Sequence, residues 1–572
     1  MTNTEISKIL FQIAKILELG NEKDRFRIVA YERAAGTIEN YAEEMVEVYN
    51  KRGLKALNDV PDVGQSIAEK IEELIKTGKL KYLNEIKKSV PVSEVEFLKI
   101  PGVGPKMAVK IAKDFKAKNI QDLEKKLKKG EGKDLFKEKT ANNILRGIDI
   151  LKRLTGCMLI TEALPIAENI VSILKKLPEV GKVDFVGSLR RMKETIGDID
   201  IVATSTNPEK VIDRFTKLTV VSQVITKGST KSTVIHNQGA QIDLEILPKD
   251  EYGSLLQHFT GSKEHNVALR TYALTKNYSF SEHGFKVGKK LIKMVNEKDV
   301  YEFLKMDFIV PELRESRGEI ASALEHRLPK LVELIDIKGD LHVHSNWSDG
   351  QMTIEEIAKM GEKLGYEYIV VSDHTVGLGI AHGLDEKRLE ERQKEINAAQ
   401  AKHSKIKILS SVEVNIKADG DLDIKDWMLE KLDIVTASIH TSFFQDKDTM
   451  TKRLLLAINH PHVDIIGHPS GRIIGQREPY EADWPAVFKA CAKQKTALEI
   501  SAFPNRLDLR DTLCQEAKQY GVKFAINTDA HQAQHLELIR FGVAVARRGW
   551  LEKEDIINTY DLNSLCHWCQ RS

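Results

Sequence analysis

The sequence predicts a multidomain chain that changes fold class twice. It is helical at the N-terminus, α+β in the middle and an α/β barrel at the C-terminus. Three observations carry this. Two Pro/Gly turns, Val60-Pro61-Asp62-Val63-Gly64 and Ile100-Pro101-Gly102-Val103-Gly104, each open an amphipathic helix in the first 150 residues. The run Gly197-Asp198-Ile199-Asp200 and the alternating segment Gln241-Ile242-Asp243-Leu244-Glu245-Ile246-Leu247 read as strands that carry carboxylates. From residue 339 onward short apolar strands alternate with helical stretches, and His, Asp and Glu stand just after the strands.

Along the chain, Leu10, Ile13, Ile16 and Leu17 recur at helical spacing, and Tyr31 to Ala35 continue the style. In the two turns Gly64, Gly102 and Gly104 let backbone N–H groups approach a phosphate, and the helix that follows favours an anion. One such turn is weak evidence. Two copies within a basic segment point to nucleic-acid backbone binding. Residues 51–150 hold 23 Lys+Arg against 15 Asp+Glu, a net +8, while the whole chain is only +2. Strands are expected at Val183-Asp184-Phe185-Val186 and Ile199-Asp200-Ile201-Val202, and residues 310–338, with Pro311 and Pro329, connect to the barrel. Barrel strands are expected at Tyr368-Ile369-Val370-Val371, Ile406-Lys407-Ile408-Leu409, Ile434-Val435, Asp464-Ile465-Ile466, Leu498-Glu499-Ile500 and Phe524-Ala525-Ile526.

Composition excludes some classes. Five cysteines in 572 residues argue against a disulfide framework. Cys566-His567-Trp568-Cys569 lacks a second pair and reads as a frayed tail rather than a zinc site. The N-terminus has no basic region followed by an apolar one, and no apolar run reaches membrane-spanning length. A cytoplasmic monomer with no membrane partner is expected.

Two constellations carry chemistry. Asp198 and Asp200 lie two apart on a strand and point the same way, and Asp243 can supply a third carboxylate from a neighbouring strand. Hard oxygen donors of this kind suit Mg²⁺ or Mn²⁺, and a pair of ions would clamp the attacking and leaving oxygens of a phosphoryl transfer. Gly187-Ser188 ahead of them offers backbone and hydroxyl donors to a phosphate, with Arg191 as charge partner. The second constellation is His342, His344, Asp349, Asp373-His374, Glu413, His440, His468, Asp529 and His531. With 17 histidines in the chain an HxH alone says little. A series that mixes imidazole with carboxylate and follows strand ends suits Zn²⁺, Mn²⁺ or Fe²⁺. Such ions lower the pKa of bound water toward ~7 and polarise phosphodiesters. His382, Arg472, Arg477 and Arg506 are candidate phosphate contacts, and His460 and His462 read as surface residues.

The run Gly187-Ser188-Leu189-Arg190-Arg191 with Gly197-Asp198-Ile199-Asp200, the run Leu247-Pro248-Lys249-Asp250-Glu251-Tyr252, and Phe259-Thr260-Gly261-Ser262 together resemble the nucleotidyltransferase palm of family X DNA polymerases, the polymerase beta group. The likeness reaches back through both hairpins, over about residues 1–310. It implies that Asp198, Asp200 and Asp243 bind the catalytic metals and that Ser188 and Arg191 hold the triphosphate. It also implies that Asn266 touches the incoming base edge, that Arg270 meets the template strand, and that Thr260 and Gly261 lie beside the sugar. His258 stands where animal members carry Tyr. Lys70 falls where the family places a Schiff-base lysine for lyase chemistry; Ser66 stands where a supporting lysine is expected, which favours a plain DNA-backbone contact.

The second constellation resembles the polymerase-and-histidinol-phosphatase (PHP) domain, a distorted (β/α)7-type barrel that binds up to three metals. The resemblance groups His342, His344, Glu413 and Asp529 as one site with Glu413 bridging, Asp349, His374 and His531 as a second, and His440 and His468 with Glu413 as a third. Asp373 is expected to orient a neighbour. Both halves together resemble bacterial and archaeal family X polymerases with a C-terminal PHP domain. The implied division is a helical DNA-binding domain over 1–90, a second helical domain over 91–155, palm and thumb over 156–315, a linker over 316–338, and the PHP domain over 339–572. The implied activity is gap-filling DNA synthesis in repair from dNTPs on gapped or primer–template DNA, with 3′→5′ exonuclease and AP endonuclease activity in the barrel. The rival readings are a small-molecule phosphoesterase tethered to DNA and an inert DNA-binding scaffold.

Overall fold

The computed structural model describes residues 1, 3–19, 25–39, 41, 43–88, 91–154, 156–377 and 381–569. The expected domain boundaries at 90 and 155 fall on positions outside the described residues.

The N-terminal region is helical to Leu154. One apolar cluster runs through it from Ile6 to Ile148 and joins both hairpins. Each hairpin turn is closed the same way. Val63 N–H donates to the Val60 carbonyl at 3.1 Å, and Val103 N–H to the Ile100 carbonyl at 3.0 Å. The third residue of each turn is left-handed, Gly102 with φ 81° and Asp62 with φ 59°, a conformation that aspartate tolerates and glycine adopts freely. Gly64 and Gly104 then cap the helices Gln65–Thr77 and Pro105–Lys113 with extended backbone.

The palm is a five-stranded mixed sheet. Its spatial order is Val180–Phe185, Ile199–Ser205, Gln241–Leu247, Lys231–His236, Val221–Lys227. The parallel pair at its centre sets Asp200 opposite Asp243. Beyond it, the helices Tyr252–Thr260 and Lys263–Thr275 lead to the three-stranded sheet Ser279–Ser281, Gly284–Val287, Lys290–Ile292. Residues 316–338 are packed rather than loose. They hold the helix Glu319–Leu324, and the buried Glu319 carboxylate accepts from the Ser316 and Arg317 N–H groups and pairs with His265 Nδ1 at 2.7 Å.

The C-terminal part is a parallel sheet of seven strands, in chain order Gly339–Val343, Tyr368–Val371, Lys407–Asn415, Ile434–Ser438, Ile465–Ile466, Ala497–Ser501, Phe524–Asn527. Nearly every strand residue is buried, as expected where helices cover a parallel sheet. The first and last strands approach through a parallel bridge between Val343 and Ala530, and His344 N–H donates to the Ala530 carbonyl at 2.8 Å, so the barrel is nearly closed. The tail is not frayed as far as Cys569. The helix Leu562–Cys569 buries Leu565 and packs Trp568 and Cys569 against Leu341, Tyr368 and Ala525. Apolar burial under the barrel holds this tail, and among the described residues no metal-type cluster includes its cysteines. No helix among the described residues is long and apolar enough to cross a membrane.

Candidate active sites

The first site is built on the palm's central strands. Asp198, Asp200 and Asp243 bring carboxylate oxygens within 4.8 Å of one another at a partly exposed surface. Burial, then the charges of Asp198 and Asp243, push Asp200 up to about 6. Three carboxylates held this close repel one another unless a cation intervenes, so the donor set fits hard divalent ions. Thr233 Oγ1 and Gln241 Nε2 donate to Asp243 and fix its rotamer. Gly187 abuts the cluster. Its φ is 66°, and a Cβ there would stand 2.6 Å from Asp200 Oδ2. Ser188 follows on the helical turn Gly187–Arg190.

The two arginines of the motif part ways. Arg190 forms a bidentate pair with the buried Glu297, at 2.8 and 2.7 Å, and Arg314 adds a third bond to the same carboxylate. Burial alone would raise Glu297, but Arg314 and Arg190 hold it down at about 2. Arg191 donates through Nε to Glu315 and through Nη1 to the Thr260 carbonyl. Thr260 is buried, and its hydroxyl donates to the Leu256 carbonyl and accepts from Arg190. Its hydroxyl therefore braces Arg190 and its backbone carbonyl braces Arg191. Gly261 lies against Arg191 Nη1. Asn266 donates to the His258 carbonyl at 2.8 Å, and Arg270 reaches His258 Nδ1 at 3.1 Å and Glu282 at 3.4 Å.

The second site lies at the C-terminal ends of the barrel strands, and every strand contributes to it. His342 and His344 come from the first, His374 from the second, Glu413 from the third, His440 from the fourth, His468 from the fifth, Glu499 from the sixth, and Asp529 with His531 from the seventh. Three donor groups form: His342, His344 and Asp529; His344, Asp349, His374 and His531; and His374, Glu413 and His440. The grouping differs from the expected one: Glu413 is not part of the first group and His468 is not part of the third. His344 and His374 are each shared between neighbouring groups, because a histidine on a barrel rim faces two sides. Glu413 nonetheless stays central. Its oxygens lie 2.8 Å from His374 Nδ1, 3.0 Å from His468 Nε2, 3.3 Å from His440 Nε2, and 3.6 and 3.7 Å from His342 and His344 Nε2.

The electrostatics of this site call for cations. Among the described residues, buried Glu413 Oε2, His344 Nδ1, Asp349 Oδ1 and His374 Nδ1 make no well-directed hydrogen bond, although Glu413 Oε2 and His374 Nδ1 are only 2.8 Å apart. Burial would raise the Glu413 carboxyl, but His440, His374 and His342 hold it well below the usual range. Burial, then His531 and His374, push His344 down to about 4. For His531 burial works downward, but Asp349 carries it up to about 9. Imidazole and carboxylate groups that converge in this way are the donor pattern of N/O-ligated divalent metals.

An outer ring orients these donors. Asp373 accepts from Ser345, Ser348 and Arg392, as expected of a positioning residue, although it bonds no histidine. Asn415 holds His440 Nδ1 at 2.6 Å. Glu499 is fully buried and pairs with His342 Nδ1 at 2.8 Å. It was missed from sequence, though a lone carboxylate inside the apolar strand Leu498-Glu499-Ile500 was the available signal. Arg506 Nε stands 3.7 Å from Asp529 Oδ2, at the site. Arg472, a candidate phosphate contact, is buried and engaged by protein groups. It forms a bidentate pair with Glu194 of the palm and serves the seam between the two halves. Arg477 donates to the Gly471 carbonyl and stacks over Phe443. His382 is exposed, and its carbonyl accepts from Arg388. His460 pairs with Asp426 away from the cluster, as expected of a surface residue.

Lys70 donates to the Ser66 hydroxyl at 2.8 Å and lies 4.8 Å from the Tyr82 ring centre and 6.0 Å from that of Tyr31. Burial, then Arg27, lower its pKa.

A polymerase-type palm with three clustered aspartates, joined to a seven-stranded barrel with a His/Asp/Glu rim, defines a two-centre enzyme architecture. Models of three families match the chain: the helix-hairpin-helix domain over residues 1–80, the DNA polymerase beta thumb over 255–315, and the PHP domain over 340–502. The chain is 34% identical over its full length, and over all of the relative, to the DNA polymerase/3'-5' exonuclease PolX of Bacillus subtilis (strain 168). A probable phosphatase of Thermoanaerobacter sp. (strain X514) is 32% identical over 38% of this chain and 89% of its own. DNA polymerase lambda of Rattus norvegicus is 27% identical over 55% of this chain and 56% of its own. The chain belongs to the family X DNA polymerases that carry a C-terminal PHP domain.

Proposed function

We propose that this chain is a DNA-directed DNA polymerase of gap-filling repair whose barrel trims 3′ ends. The observation that carries the reading is the presence, on one chain, of two separate convergent donor clusters on folds of these two kinds. The full-length relative named as both polymerase and 3′-5′ exonuclease supports it. The finer reading takes the protein as a cytoplasmic monomer with the domains 1–90, 91–155, 156–315 and 339–572. In it, Gly64, Gly102 and Gly104 present backbone N–H groups to DNA phosphates.

In the palm, Asp198, Asp200 and Asp243 would hold Mg²⁺ or Mn²⁺, which when bound favours loss of the primer 3′-hydroxyl proton and neutralises the triphosphate. Ser188 and Arg191 hold the triphosphate. Asn266 meets the base edge and Arg270 the template. Gly187 leaves room for Asp200, and Gly261 lets the backbone turn beside Arg191.

In the barrel, the three donor groups, with His468 beside Glu413, would hold up to three ions of Mn²⁺, Zn²⁺ or Fe²⁺, which activate water and polarise a phosphodiester. Glu499 and Asn415 hold the rings of His342 and His440 in place. Arg506 is poised to meet a phosphate, and cleavage at abasic sites is a second use of the same centre. Relatives named probable phosphatases match over 232 residues, 38% of this chain, and their printed names favour a phosphoester substrate for this PHP-type centre.

The test is a pair of substitutions. Asp243→Ala should abolish primer extension and spare 3′ trimming, and His344→Ala should do the reverse. Either substitution removing both activities from a folded protein refutes the two-centre reading. A small phosphoester cleaved in preference to DNA by an enzyme that does not extend primers would leave the phosphoesterase alternative.

A further inference from the structure

The barrel and the palm meet along a seam of alternating charge. Arg548 ends the helix Ile539–Arg548 of the barrel and is only 6% exposed. Its Nη1 donates to the backbone carbonyl of Arg191 at 2.7 Å and to Glu315 Oε1 at 3.0 Å. Its Nη2 lies 2.8 Å from Asp511 Oδ2, which also takes Arg317 Nη2 at 3.0 Å. The order along the seam is Arg191, Glu315, Arg548, Asp511, Arg317.

A buried ion pair is by itself weak evidence for anything but packing. This one ends on the arginine that the proposed function assigns to the triphosphate. Arg191 Nε and Arg548 Nη1 both use the same oxygen, Glu315 Oε1. A guanidinium is a rigid plane, so fixing Nε on Glu315 and Nη1 on the Thr260 carbonyl sets the direction of its remaining edge. The carboxylate that fixes the plane is also a competitor for it. Left with Arg191 alone, Glu315 would neutralise the charge that a triphosphate needs. Shared with a second guanidinium, it orients Arg191 without saturating it.

We propose that Arg548, supplied by the barrel, is a positioning residue for nucleotide binding at the palm. It shares Glu315 with Arg191, anchors the Arg191 backbone, and so sets the affinity of the polymerase centre for the dNTP triphosphate. The barrel is then a working part of the polymerase site and not merely a second enzyme on the same chain. The inference rests on Arg191 meeting the triphosphate.

The experiment is single-nucleotide insertion on gapped DNA by the full-length protein. Arg548→Met keeps the length and removes the charge. It should raise KM for dNTP about tenfold and change kcat by less than about twofold, the signature of weakened ground-state contact. Arg548→Lys should recover part of the loss. The double variant Arg548→Met/Glu315→Gln should return KM toward the parent value, because the competing charge is gone. Glu315→Gln alone keeps an acceptor for Arg191 and should lower KM, and it tests the idea even if Arg548→Met does not fold. An unchanged KM in Arg548→Met, a fall in kcat alone, or a raised KM in Glu315→Gln overturns the inference. A parent KM in Arg191→Met instead overturns the assignment of Arg191 to the triphosphate, whereas a raised KM there beside an unchanged KM in Arg548→Met overturns the inference alone, so the two failures are distinguishable.

Discussion

Glu499→Gln isolates the part of the barrel centre that holds rather than binds. The Glu499 carboxylate takes three contacts: His342 Nδ1 at 2.8 Å, His468 N–H at 2.6 Å and Asn527 Nδ2 at 2.9 Å. All three partners are buried with it. With Nδ1–H on Glu499, His342 directs Nε2 toward His344, Glu413 and Asp529. Glutamine has nearly the same shape but offers only one oxygen, so at least one of the three donors must face an N–H₂ group. A buried donor without its acceptor costs about 1–3 kcal/mol. If the loss falls on His342, the ring is no longer fixed in tautomer or direction, and metal affinity should fall about 10–100-fold. The assay is manganese titration of 3′ trimming, with calorimetric manganese binding beside it. The midpoint should move to higher manganese while primer extension keeps its parent rate. Unchanged metal affinity together with an unchanged trimming rate would mean that Glu499 is a packing residue and that the outer-ring account is wrong.

Much of this was legible in the sequence. Strands at Gln241–Leu247 and Tyr368–Val371 were readable to the residue, because apolar runs with clear periodicity do not depend on distant partners. That the Asp243 strand lies beside the one carrying Asp198 and Asp200 was readable, while the register that sets Asp200 opposite Asp243 was not. The first barrel strand, Gly339–Val343, was hidden by the ligands it carries, since Asp340 and His342 interrupt its apolar character. The palm strand Val221–Lys227 was hidden by exposure, as an edge strand whose side chains lie largely in solvent. Buried charge was the least readable feature. Glu297 is inside only because Arg190, 107 residues away, and Arg314 meet it there. Arg472 and Arg548 look like surface cations in sequence and become seam residues only when Glu194 and Glu315 reach them from the other half.

Two predictions concern the remaining chemistry. Burial, then Arg27, lower the Lys70 pKa, which enlarges its free-amine fraction and speaks for the Schiff-base role against the backbone-contact expectation, so borohydride should trap a 5′-deoxyribose phosphate end on the chain. Lys70→Ala should remove the trap and leave extension intact; a trap that persists there excludes Lys70 as the nucleophile. Gly187→Ala strikes the palm through backbone geometry alone. The residue has φ 66°, which alanine adopts only with strain, and the added carbon would stand 2.6 Å from Asp200 Oδ2. Either the turn that carries Ser188 shifts, or Asp200 swings away from Asp198 and Asp243. Both displace groups that must be placed within a fraction of an ångström, so extension should fall at least ~100-fold. Because Gly187 lies on the palm and the barrel rim is built from residues 342–531, 3′ trimming and the barrel's metal content should stay at the parent level. Extension at the parent rate would show that the space beside Asp200 is not needed, and with it that the three aspartates are not held to a fixed geometry.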